Sequence, residues 1–171
     1  MKLSEGVEAA IHCAAVLAGT DEGATMPGAA LAEQFGVSSS YLLKHLNALV
    51  AARIFESVPG PAGGYRLARP AEEISLLDIV LAVEGPQPAF RCAEIRQRSP
   101  AKLPASVYVK PCGINAAMLR AERAYRAALA AERLSDIVAE YLAEADPRSV
   151  TANCAFVARH QRPQKSSSTK R

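Results

Sequence analysis

The sequence predicts a mainly α-helical chain with one small β-hairpin: a winged helix-turn-helix domain followed by a long dimerisation helix. Three observations carry this. Residues 29–35 form a short amphipathic run broken by Gly36, and Leu42, Leu46 and Leu49 then recur at helical spacing. Two extended runs, 54–58 and 65–67, flank Pro59-Gly60-Pro61-Ala62-Gly63-Gly64, which reads as a hairpin wing. From Gly113, residues Ile114, Met118, Ala121, Tyr125 and Ala128 keep the four-three spacing of a coiled-coil seam.

Taken in order, the first helix starts at Ser4, an expected N-cap with Glu5 in the first turn. Val7, Ile11, Ala14 and Leu17 form its apolar stripe, and it ends near Gly19. Glu8 and His12 lie one turn apart on one face beside that stripe. Residues 20–26 are a polar loop. In the helix-turn-helix, Gly36 permits the tight turn and Ser38 caps the second helix. That helix presents Ser39, Ser40, Tyr41, Lys44 and His45 opposite its leucines. These hydrogen-bond donors suit a recognition helix in a DNA major groove, with Ser38, Ser40, Tyr41 and Lys44 meeting bases or phosphates. Gly60, Gly63, Gly64, Tyr65 and Arg66 shape the wing and anchor it on the backbone and minor groove.

Pro70 closes the wing, and residues 75–83 form a helix that Gly85-Pro86 stops. This helix is expected to pack on the first. Residues 85–112 hold Pro86, Pro88, Pro100, Pro104 and Pro111 and so form an irregular loop, bracketed by Cys92 and Cys112. The long helix runs to about Arg133. Its apolar stripe is expected to pair with a second copy, the alternative being that it packs on its own domain. Ser135 is expected to cap a helix over 136–145, which Asp146-Pro147 ends. The basic, serine-rich stretch 161–171 reads as disordered. The expected organisation is a DNA-binding domain at 1–84, a cysteine loop at 85–112, dimerisation helices at 113–146, and a C-terminal segment with its tail at 147–171.

Composition bounds the function. Half the residues are hydrophobic, enough for an ordinary core. Twenty basic against seventeen acidic side chains leave a formal charge of +3, too small to diagnose nucleic-acid binding. No apolar run approaches a bilayer span, and residues 1–5 lack a signal-peptide pattern, so the expectation is a cytoplasmic protein without a membrane partner. Four cysteines at wide spacing do not make a disulfide framework in that compartment. Cys112, between Pro111 and Gly113, opens a helix whose free N–H groups favour a thiolate, and thiolate is the form that ligates metal. Cys13 reads as a small core residue. Cys154 and His160 have no recognisable partner.

With the wing in view, the runs 38–42 (SSSYL), 57–70 (SVPGPAGGYRLARP), 3–8 (LSEGVE) and 74–79 (ISLLDI) resemble the Rrf2 family of bacterial transcription regulators over residues 1–145. The resemblance implies a homodimeric winged-helix repressor or activator on a palindromic double-stranded operator. Many members carry arginine where this chain has Pro59, so a wing contact is missing. The best-known members hold an iron–sulfur cluster on three closely spaced loop cysteines, which this chain lacks. It looks instead like the RsrR-like redox-sensor subgroup, supported by the segment 88–98. That likeness implies a [2Fe–2S] cluster on Glu8 and His12 of one subunit and Cys92 and Cys112 of the other. A tryptophan common in the subgroup is replaced here by Ala9. Two thiolates, an imidazole and a carboxylate also suit tetrahedral zinc. A Cys92/Cys112 thiol–disulfide switch is the second reading. A metalloenzyme is the third, and neither a general base nor a phosphate loop accompanies the ligands.

Overall fold

The computed structural model describes residues 3–101 and 103–163. The first helix, α1 (Glu5–Ala18), runs through the middle of the core and buries Val7, Ala10, Cys13, Ala14 and Leu17. Ser4 precedes it, but its hydroxyl caps nothing. Its backbone N–H instead donates to a Glu84 carboxylate oxygen at 2.9 Å, tying the start of α1 to the far end of a later helix.

Two helices follow, α2 (Gly28–Gln34) and α3 (Ser39–Ala51), joined through Gly36 in the left-handed region at φ 62°. The Ser38 hydroxyl accepts the Tyr41 N–H at 3.2 Å, the expected N-cap. Leu42, Leu46 and Leu49 are fully or almost fully buried against α1 and α2. The wing is an antiparallel pair, β1 (Phe55–Val58) and β2 (Gly64–Leu67), in the register Phe55 opposite Leu67 and Val58 opposite Gly64. Two mutual 2.8 Å bonds between Met26 and Tyr65 dock β2 on the body. A Cβ at position 64 would collide with the Met26 carbonyl, so this close approach demands glycine.

The helix α4 (Leu76–Glu84) opens with a full capping box. The Asp78 N–H donates to Ser75 Oγ, and the Ser75 N–H donates to the Asp78 carboxylate. It packs on α1, as its apolar face required, and Gly85 stops it at φ 86°. Among the described residues of 86–112 there are two 3-10 turns, Ile95–Arg98 and Ala105–Tyr108. The long helix α5 (Gly113–Ala131) lies along α4, yet Ile114 and Met118 remain 69 % and 43 % exposed.

Two expectations change at the C-terminus. The sixth helix, α6, spans Leu134–Glu144, so Ser135 lies inside it and does not cap it. The reason is tertiary: Leu134 is fully buried and Glu132–Leu134 pairs with Ile74–Leu76 like a short strand, which sets the helix start. Residues 147–160 are helical throughout (α7, Pro147–His160), where the sequence reading placed no element. Asp146-Pro147 serves twice: it ends α6, and it starts α7, with the Asp146 carboxylate accepting the Arg148 N–H and Pro147 in the first helical position. Phe156 and Val157 pack back on the core. Of the stretch expected to be disordered, Gln161–Arg162 bonds to the body, and 164–171 lies outside the described residues.

Candidate functional site

The outer face of α3 exposes Ser39, Ser40, Tyr41 and Lys44, joined by Leu43 at 47 % exposure, a residue the donor pattern did not single out. His45 departs from expectation. It faces inward, 7 % exposed, stacked edge-on beside Tyr41 at 4.8 Å and lying directly over Gly6 of α1. Counted from Leu42, His45 is three residues on and falls on the buried side with Leu46 and Leu49. Its Nε2 has no hydrogen-bond partner among the described residues. Burial, then the nearby Lys44, hold the imidazole below its usual pKa, with Glu84 opposing them. His45 therefore joins the recognition helix to α1 and is not a DNA-facing donor.

On the wing, Gly60 adopts φ 100°, and a Cβ on Gly63 would run into the Val58 carbonyl. Tyr65 is half-buried with its ring against Gly28, and this burial pushes its phenol pKa up. Its side chain packs the wing on α2 and does not point outward. Arg66 pairs across the hairpin with Glu56 at 2.9 Å. A partly exposed pair of this kind contributes at most about 1 kcal/mol, so a phosphate can compete for the guanidinium.

The irregular loop brings Cys92 and Cys112 together. Cys112 sits at the N-cap of α5, near the free N–H groups of the first turn, and its sulfur makes no side-chain cap hydrogen bond. The nearby Asn115 N–H above all, with the Ile114 N–H and the Cys92 thiol, outweighs burial and the Glu94 charge and holds the Cys112 pKa below the ordinary thiol range. Cys92 Sγ also lies 3.8 Å from a Glu94 carboxylate oxygen. Two residues organise this loop that spacing alone did not reveal. Glu94 adopts the left-handed region at φ 47°, and Arg96 pairs with it at 2.6 Å, donates to the Lys110 carbonyl at 2.7 Å and lies over the Tyr108 ring. Arg96 thus closes both ends of the loop around the thiols and adds positive charge beside them. The only sequence signal was an Arg and a Glu inside a cysteine-bracketed loop.

Glu8 and His12 share an exposed groove on α1 with Leu3, Val7 and Ile11, and the His12 ring lies 5.2 Å from Phe35. The structure keeps this pair apart from the cysteines. Among the described residues of one chain, no three His, Cys, Asp or Glu side chains are grouped to hold a metal ion. The donor chemistry fits a four-ligand group only when two chains combine their pairs. Cys13 is fully buried and burial pushes its thiol up to about 12, which marks it as a core residue. Cys154 is exposed on α7. Among the described residues, no helix is long and apolar enough to cross a membrane.

Comparison with known proteins matches residues 3–140 to the family model described as Rrf2, iron-dependent transcriptional regulator. The HTH-type transcriptional regulator YffB of Lactococcus lactis is 41 % identical over 85 residues, which is 50 % of this chain and 54 % of that protein. The HTH-type transcriptional regulator IscR of Photorhabdus laumondii is 37 % identical over 67 residues, 39 % of this chain and 41 % of that protein. The crystal structure of the oxidised form of Staphylococcus aureus CymR is 28 % identical with a TM-score of 0.56, covering 85 % of this chain and 98 % of that one. The chain spans about half the length of the first curated relatives it matches. With its helix-turn-helix, hairpin wing and long following helix, the chain belongs to the Rrf2 family of winged-helix, DNA-binding transcriptional regulators.

Proposed function

We propose that the chain acts as a cytoplasmic homodimer whose hold on a palindromic operator is set by a [2Fe–2S] cluster. In this reading, of the RsrR-like kind, Glu8 and His12 of one subunit and Cys92 and Cys112 of the other hold it. The observation that carries the reading is the division of the donors into two accessible half-sites. One is a pair of adjacent thiols at the root of α5. The other is a carboxylate and an imidazole one turn apart on α1. Among the described residues of one chain, the two half-sites do not come together. The family's iron-dependent description supports iron over zinc. The exposed Ile114 and Met118 of α5 support a second copy, since burying what remains exposed would contribute about 1–2 kcal/mol for Ile114 and about 1 kcal/mol for Met118.

A [2Fe–2S] group bound there would supply a one-electron couple, with a potential raised by imidazole ligation. The chain's own residues do the rest. Glu8 and His12 belong to the helix whose first turn carries His45 of the recognition helix. Cys92 and Cys112 belong to the loop before α5, with Cys112 at the helix N-cap. Ligands shared between subunits therefore set the separation of two recognition helices, which an operator reads as half-site spacing. Ser40, Tyr41 and Lys44 meet the major groove or its phosphates, while the wing and Arg66 lie on the backbone.

The test is purification under nitrogen with visible spectrum, iron and sulfide content. A coloured protein with iron and sulfide is expected, and Cys112→Ala should lose the colour and stay dimeric. A colourless, iron-free protein after reconstitution ends the cluster reading, and stoichiometric zinc replaces it with a structural site. One observation favours a second reading: Cys92 and Cys112 are already adjacent, and a relative has been solved in an oxidised form. There the two thiols would lose two electrons and two protons to a peroxide-type oxidant and form a disulfide. Alkylation mass shifts before and after mild peroxide separate the two.

A further inference from the structure

We propose that Arg162, just beyond the end of α7, is the positioning residue that holds the DNA-reading wing tip in place. This rests on the reading that the wing meets DNA. A two-stranded hairpin of four residues a side is marginal on its own, and the turn of this one holds two glycines, Gly60 and Gly63. Its tip is braced from outside. Arg162 Nη1 donates to the Pro61 carbonyl at 2.8 Å and the Gly63 carbonyl at 3.2 Å. The fully buried Thr25 donates its hydroxyl to the carbonyl between them, Ala62, at 2.9 Å. Three successive carbonyls of the turn are thus tied down. Thr25 and Arg162 are themselves locked by two mutual backbone bonds of 3.0 and 2.8 Å.

The brace is anchored along α7. Asn153 accepts from Gln34 of α2 and donates to the Tyr141 hydroxyl of α6, and Gln161 bonds twice to Asp21. One helix therefore links the wing, the helix-turn-helix and the helix that follows α5. Both bonds leave one nitrogen, Nη1, whose two N–H groups are fixed in the guanidinium plane, whereas a lysine ammonium turns freely on a flexible stem and would hold the two carbonyls less firmly.

The experiment compares Arg162→Gln and Arg162→Lys in the full chain, with Thr25→Val as an independent way to loosen the same turn. Amide hydrogen exchange at residues 60–65 should accelerate in all three, with α1 and α3 unchanged. Operator affinity should fall roughly tenfold for both Arg162 variants, the scale of losing charged hydrogen bonds. Footprint protection at the wing-contacted flanks should weaken, the half-site centres should stay protected, and the salt slope should stay at its wild-type value. Unchanged wing exchange would overturn the brace. Full affinity in Arg162→Lys together with a shallower salt slope in Arg162→Gln would also overturn it, by making Arg162 a direct phosphate contact. Accelerated wing exchange with unchanged affinity and footprint would instead refute the reading that the wing meets DNA.

Discussion

Replacing Gly6 by alanine should destabilise the protein even though alanine is the better helix former. An ideal Cβ on Gly6 lies 2.7 Å from His45 Nε2 and 2.8 Å from Nδ1, closer than real Cβ contacts allow. The ring cannot swing clear, because it is buried between α1 and Tyr41. Overpacking at such a site costs about 1–3 kcal/mol, while Gly→Ala within a helix contributes about 0.5–1 kcal/mol. The net expectation is a loss of up to about 2.5 kcal/mol, or up to about 10 °C in Tm for a chain of this size. In a His45→Ala background the obstacle is gone, and the same change should stabilise by about 0.5–1 kcal/mol. The sign should reverse, with a coupling of about 1–3 kcal/mol in the double-mutant cycle. Thermal melts at matched protein concentration measure this, since the proposed dimer would make Tm concentration-dependent. Operator affinity of Gly6→Ala should fall too, because α3 must shift on α1. Equal stabilisation by alanine in both backgrounds would show that the His45 ring does not sit on Gly6.

Asp78 carries a pH signature. Burial pushes its carboxyl up, but the Ser75 N–H and hydroxyl and the Arg69 guanidinium outweigh this and leave it below the usual range. A depressed carboxylate contributes stability present above its unfolded pKa, near 4, and lost as pH falls through the folded value. Asp78→Asn should therefore lower stability at pH 7 and flatten the acid limb of a stability–pH curve. Iodoacetamide at pH 7.5 should label Cys112 well before Cys13, whose thiol is buried and pushed up to about 12; peptide mass spectrometry reads the order. Lys44→Ala should weaken operator binding at low salt and reduce the salt slope by about one, measured by fluorescence anisotropy across a salt series. Ser38→Ala should cost about 1 kcal/mol of stability in denaturant melts by removing the α3 cap.

The DNA-reading part of the fold was legible because it is written locally. The Leu42, Leu46 and Leu49 spacing, the Ser38 cap, the glycine at position 36 and the Pro/Gly-rich turn each act within a few residues, and the structure returns them where expected. His45 was misjudged because its polarity outweighed its register. Only the neighbouring Gly6, which leaves room for a ring, accounts for an imidazole on the buried face. The start of α6 was displaced because Leu134 anchors in the core beside Ile74, far away in sequence. The helix α7 was overlooked because Asp146-Pro147 signals both an end and a beginning.

By itself the sequence determined the helix-turn-helix, the wing and the long helix, since periodicity and turn chemistry depend on near neighbours; the ligand set rests on the family resemblance and stays a proposal. Tertiary structure alone decided the rest. It turned His45 inward, brought Cys92 to Cys112 under Arg96, kept Glu8 and His12 on a separate surface, and set Arg162 beneath the wing. Those contacts join residues up to 101 positions apart in the chain, and only packing of the core brings such distant segments within reach of one another.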